Sequence, residues 1–149
     1  MPNIPTMLIT AALSTLGFSI LFFVHPRHLP LSTLGGLLAC GAYLLACHFL
    51  EGELLPNMLG ALVGAGFSEI MARLTKAPVP IYLVPCIIPL VPGSGLYATM
   101  FGFVTGDYAT AASAGMKTLE MALGIAGGIV IASVLGMVLR RRRRPHRNI

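Results

Sequence analysis

Pro78-Val79-Pro80-Ile81-Tyr82-Leu83-Val84-Pro85-Cys86-Ile87-Ile88-Pro89-Leu90-Val91-Pro92-Gly93-Ser94-Gly95-Leu96-Tyr97 is apolar enough to lie in a membrane, yet prolines and glycines interrupt it at its centre. Proline removes a backbone donor and clashes with the preceding turn, while glycine opens conformations that other residues resist. In hydrocarbon an unsatisfied backbone group is costly, so such a break persists only against protein or a water-filled cavity. Broken helices near the bilayer midplane are a recurring way to build transporter binding sites. Transport is the first function the stretch suggests.

The rest of the chain agrees with a membrane setting. It is 149 residues long, 56% hydrophobic and only 10% charged, against the ~25% charged residues of a soluble domain. An ordinary soluble domain is excluded. Cys40, Cys47 and Cys86 all fall in apolar stretches and read as small hydrophobes, with neither a disulfide framework nor metal spacing. The formal charge of +5 comes largely from one terminal run beside an apolar segment. That is the basic flank of a membrane span rather than a nucleic-acid surface.

Five apolar segments, each near the ~20 residues needed to cross the hydrocarbon core, cover residues 4–24, 31–50, 54–71, 81–104 and 119–139. The expected fold is an all-α integral membrane protein with about five transmembrane helices, the fourth broken at its Pro-Gly motif. Residues 1–139 form a single transmembrane domain and residues 140–149 a basic tail. Pro26 and Pro30 punctuate the first loop, Glu51-Gly52-Glu53 makes a tight second one, and Pro56 falls in a first helical turn, where its missing donor does no harm. Nothing basic precedes the first segment, so it reads as a retained helix rather than a secretory signal.

Basic residues set the orientation. With the N-terminus outside and five crossings, the inside regions hold Arg27, Arg73 to Lys76, and the tail with Arg140 to Arg144 and Arg147. Lys117 alone stays outside, with Glu51, Glu53 and Asp107. This nearly satisfies the positive-inside rule and makes the broken segment a crossing rather than a re-entrant hairpin. Gly60, Gly64 and Ser68 in the third span, and Gly124, Gly128, Ala132 and Gly136 in the fifth, have the four-residue spacing that lets helices approach closely. Packing is the simple reading of these stripes, ahead of any substrate contact.

A catalytic constellation is hard to assemble. His25, His28, His48 and His146 lie in loops, the tail or near a span end. No nucleophile elbow and no clustered histidine–carboxylate set is present, so neither an enzyme nor a metal or other cofactor is expected. Glu69 stands four residues before Arg73, and Glu120 three after Lys117. Pairing with those cations is the simple role for each; proton coupling or substrate gating is the functional one. The midpoint of the fourth segment remains. A helix restarting after Pro92-Gly93-Ser94-Gly95 would point free N–H groups and a positive dipole end into the membrane interior. Such an end binds carboxylates without lysine or arginine. Tyr97 and Thr99 would line the same cavity.

Ile88-Pro89-Leu90-Val91-Pro92-Gly93 with Tyr97 resembles the proline–glycine signature of the threonine/serine exporter family, in its smaller, YjjB-like module. The likeness extends to Gly17-Phe18, through Pro26 and Arg27 to Gly35 and Leu38, and to a C-terminal helix with a basic end. The resemblance implies a multi-pass exporter of the bacterial inner membrane, and the basic tail places its C-terminus in the cytoplasm. It also implies a larger partner module of the same family, here on a separate chain. Family members are linked to threonine and serine export, and the YjjB-type pair to succinate. The substrate-binding residues expected on this basis and from the break are Pro89, Pro92, Gly93, Ser94, Gly95 and Tyr97. The partners expected are the larger module, the lipid bilayer, a small-molecule substrate and, as a homo-oligomer, a second copy. An odd span count cannot divide into two equal inverted halves, which also argues against transport by this chain alone. A non-transporting scaffold or regulatory subunit is the competing function; it leaves the midplane break without a role.

Overall fold

A computed structural model describes residues 4–142. Six helices follow one another: α1 (Ile4–Leu21), α2 (Leu29–Phe49), α3 (Leu54–Thr75), α4 (Pro80–Ile87), α5 (Gly93–Thr105) and α6 (Tyr108–Arg142), with a 3-10 turn, Ile88–Leu90, after α4. Four of them are long and apolar enough to cross a membrane, or five spans if the bent pair Pro80–Leu90 and Gly93–Thr105 counts as one. The expected all-α architecture with a broken fourth span is present.

Local chemistry sets the boundaries. Pro30 and Pro80 sit in the first turns of α2 and α4, where no intrahelical N–H is missed. α3 ends on Lys76 in the left-handed conformation, and Pro78 prevents it from resuming. Gly106, with φ of 76°, turns the chain out of α5, and Asp107 starts α6 by accepting the Thr110 N–H at 3.1 Å.

Several boundaries differ from expectation, among them the end of α3, which runs on to Thr75, four residues past the expected 71. α1 ends at Leu21, ahead of residue 24, and α6 begins at Tyr108, eleven residues before the predicted start at 119. Lys117 therefore lies within a helix, not in a loop. Residues 109–118 are mostly alanine, threonine and serine, which lowers hydropathy without opposing a helix, and the Asp107 cap begins it early. At ~1.5 Å per residue the helix is about 52 Å long, well beyond the ~30 Å hydrocarbon core. Arg140 to Arg142 continue α6, and the rest of the predicted tail lies outside the described residues.

Close approaches fix the register of the bundle. Gly36 faces Thr15, and Ser19 faces Ser32 at 2.8 Å, so α1 and α2 are antiparallel. Gly60 and Gly64 meet Ala39, while Gly35 meets Phe67, so α2 and α3 are antiparallel as well. On α6, Gly124 lies on the Leu54 carbonyl, Gly128 on Met58 to Leu62, and Gly136 on Glu69 and Arg73. α3 and α6 therefore run parallel. The chain between them must travel the height of the bundle once. The 53° bend after Leu90 deflects it without reversing it.

This register gathers Arg27, Arg73, Lys76 and the end of α6 at one end of the bundle, with Glu51, Glu53 and Asp107 away from it. The interior is built largely from small residues, Ala39, Cys40, Ala46, Ala61, Ala65 and Ala72 among them, with Leu90 and Ile125 packed beside Tyr43, Ile87 and Ile129. Large apolar side chains such as Leu13, Leu45, Phe101 and Val130 point outward. Small inside and large outside is the pattern of helices packed in lipid.

Candidate functional site

The break in the fourth span is made by three residues with distinct jobs. Pro89 cannot donate to the ladder and stands inside the 3-10 turn. Val91 is extended, with ψ of 128°, and donates to the Ile88 carbonyl at 3.1 Å. Pro92 departs from helical geometry with ψ of 59°. Gly93 then donates back to Val91 at 2.8 Å, and Leu96 to Pro92 at 3.1 Å. The N–H groups of Ser94 and Gly95, in the first turn of α5, belong to neither helix ladder.

Pro89, Pro92, Gly93, Ser94 and Gly95 thus meet at one joint. Gly93 and Ser94 are exposed, and a Cβ built on Gly93 would meet nothing within 4 Å. Gly95 faces inward, where a Cβ would collide with the Thr118 hydroxyl of α6. Thr99 donates to the Gly95 carbonyl at 2.7 Å and faces Gly115 of α6, where a Cβ would lie 3.4 Å from its methyl. Tyr97 lies farther along on the outer face of α5, 70% exposed and stacked on Phe101 with ring centroids 5.9 Å apart. α5 leans on α6 through Gly95, Thr99 and Gly102 and otherwise presents Leu96, Met100, Phe101 and Val104 to its surroundings.

The two carboxylates have unlike surroundings. Glu69 Oε2 accepts from Arg73 at 3.0 Å, and the same arginine nitrogen donates to the Gly136 carbonyl of α6 at 2.7 Å. A Cβ on Gly136 would lie 2.8 Å from Glu69 and 2.9 Å from Arg73, so glycine there leaves room for the ion pair. Glu69, Arg73, Lys76, Ser133, Gly136 and Met137 help line a cavity of about 450 Å³ beside it. Glu120 is exposed on α6. Among the described residues the ion pair is Glu69–Arg73, and the expected Lys117–Glu120 partnership is not formed.

Sequence reasoning missed a buried polar seam. Thr15, Ser19 and Ser32 are fully buried between α1 and α2. The Cys86 thiol donates to the Ser32 carbonyl at 3.5 Å. Nearer the basic end, buried Tyr82 hydrogen-bonds His28 Nδ1 and donates to Thr75 Oγ1 at 3.0 Å. A second cavity of about 620 Å³, lined by His25, His28, Thr75 and Lys76 among others, adjoins this seam. The available signal was weak: a hydroxyl bonded to its own preceding turn is tolerated in lipid and reads as neutral.

A family model described as "Threonine/Serine exporter, ThrE" matches residues 7–135. No solved structure matches the chain.

Proposed function

We propose, from the premise that this chain belongs to the threonine/serine exporter family and is a multi-pass membrane protein, that it is one subunit of a secondary exporter for small carboxylate-bearing metabolites. Threonine and serine are the leading substrates, with a succinate-like dicarboxylate the alternative. Its partner is the larger module of the same family. Its place is the bacterial inner membrane, with the basic end of the bundle in the cytoplasm. Membership of a transport family accords with a non-enzymatic role.

The observation that carries this reading is the joint at Pro92–Gly93. It offers the Ser94 and Gly95 N–H groups and the dipole end of α5 on an open face. A carboxylate is the group such an end accepts best. Because Gly93 and Ser94 are exposed, this chain supplies one wall of the site and the larger module the other. The test is export of labelled threonine, serine and succinate from cells holding this protein alone, the larger module alone, and both. Export only with both is expected. Full export by the larger module alone would reduce this chain to a scaffold.

A further inference from the structure

We propose that the cavity between α3 and α6 at the basic end binds a small molecule carrying both an ammonium and a carboxylate, and that Glu69 bars dicarboxylates from it. The cavity holds about 450 Å³, within the ~300–1,000 Å³ typical of small-molecule sites. Arg73 and Lys76 bring two positive charges and Glu69 one negative, with Ser133 as a further polar group on the opposite helix. One arginine nitrogen is committed to Glu69 and Gly136; the guanidinium keeps further donors. Among the described residues, the bond to Glu69 falls on Oε2, which leaves its second oxygen as an acceptor toward the cavity. Lys76 and Arg73 therefore hold a carboxylate while Glu69 receives an ammonium. A dicarboxylate puts its second charge against Glu69, where like charges repel. This deepens the exporter reading, because it selects between the amino-acid and dicarboxylate substrates left open there, and it rests on that reading.

The test measures binding directly, apart from export. The full chain, alone and with the larger module, is placed in nanodiscs of neutral lipid and titrated with labelled threonine and labelled succinate. Threonine should bind and be displaced by serine but not by succinate. Lys76→Gly removes the charge and suits the left-handed backbone there. It should weaken threonine binding by roughly tenfold or more, the worth of one charge-assisted hydrogen bond. Glu69→Gln keeps an oxygen for Arg73; it should weaken threonine and admit succinate. Absence of threonine binding, equal binding of succinate, or unchanged affinities in both variants overturns the proposal. Displacement of threonine by added phosphatidylglycerol would assign the cavity to a lipid phosphate and also overturn it. Unchanged binding in both variants alongside intact threonine export would sink this site and leave the exporter standing. Binding as expected without export in the presence of the larger module would do the reverse.

Discussion

Gly93 has open space where a side chain would go, which makes it a clean probe of function. Gly93→Val should insert and unfold as the native chain does, within the ~0.5 kcal/mol usual for surface changes, and still abolish export with the larger module present. Normal export by this variant would remove the joint from the transport path. Tyr97→Phe keeps the stack on Phe101 and should change only apparent affinity, read as KM in the same assay. Asp107 carries a pH signature. Hydrogen bonds from the Thr110 side chain and backbone hold its carboxyl below the usual carboxylate range. Its contribution to starting α6 is therefore present above the ordinary carboxylate pKa and lost as pH falls through the lowered one. Thermal unfolding followed across acid pH should show a step that Asp107→Asn, which still caps, flattens. At this scale the joint and the Glu69–Arg73 pair were readable, since both rest on residues close in sequence. The bond from Arg73 to Gly136 spans 63 positions, and the His28–Tyr82 contact spans 54; neither leaves a local pattern.

Helix α6 gives the test of elements. Gly128 lies so close to α3 that a Cβ would come within 2.8 Å of the Leu62 nitrogen and 2.9 Å of Ala61. Gly127, one residue earlier, would meet only Met58 at 3.8 Å. Gly128→Leu should force the helices apart at a cost of about 1–3 kcal/mol, the range for overpacking. Gly127→Ala should be nearly silent. Detergent thermal-stability curves compare the two, and equal behaviour would mean that α3 and α6 do not meet through this face. The four-residue spacing of Gly124, Gly128, Ala132 and Gly136 announced such a face, but not its partner. The start of α6 was harder to read, because Lys117 and Glu120 resemble loop residues when hydropathy is averaged. Only the cap at Asp107 and the turn at Gly106 mark where the helix begins.

For the whole molecule, reporter fusions after Ile149 and within residues 51–53 should report opposite sides of the membrane, the C-terminal one cytoplasmic. A reporter at the C-terminus on the outer side would overturn the orientation. Replacing Arg141 to Arg144 with glutamine should lower inserted protein more than export per molecule, because basic flanks steer insertion. The parallel course of α3 and α6 has a mechanical consequence. One unbroken rod touches α5 at Thr118 and the Arg73 ion pair at Gly136, about 27 Å apart at ~1.5 Å per residue. α5 bends away at Pro92–Gly93 and rests on that rod at Gly95, Thr99 and Gly102, so any displacement of α5 would have to be borne by α6 or break their contact. Because α6 is also seated on α3 at Gly124, Gly128 and Gly136, a displacement at Thr118 has no freedom of its own: α6 shares it with the face of α3 down to Arg73.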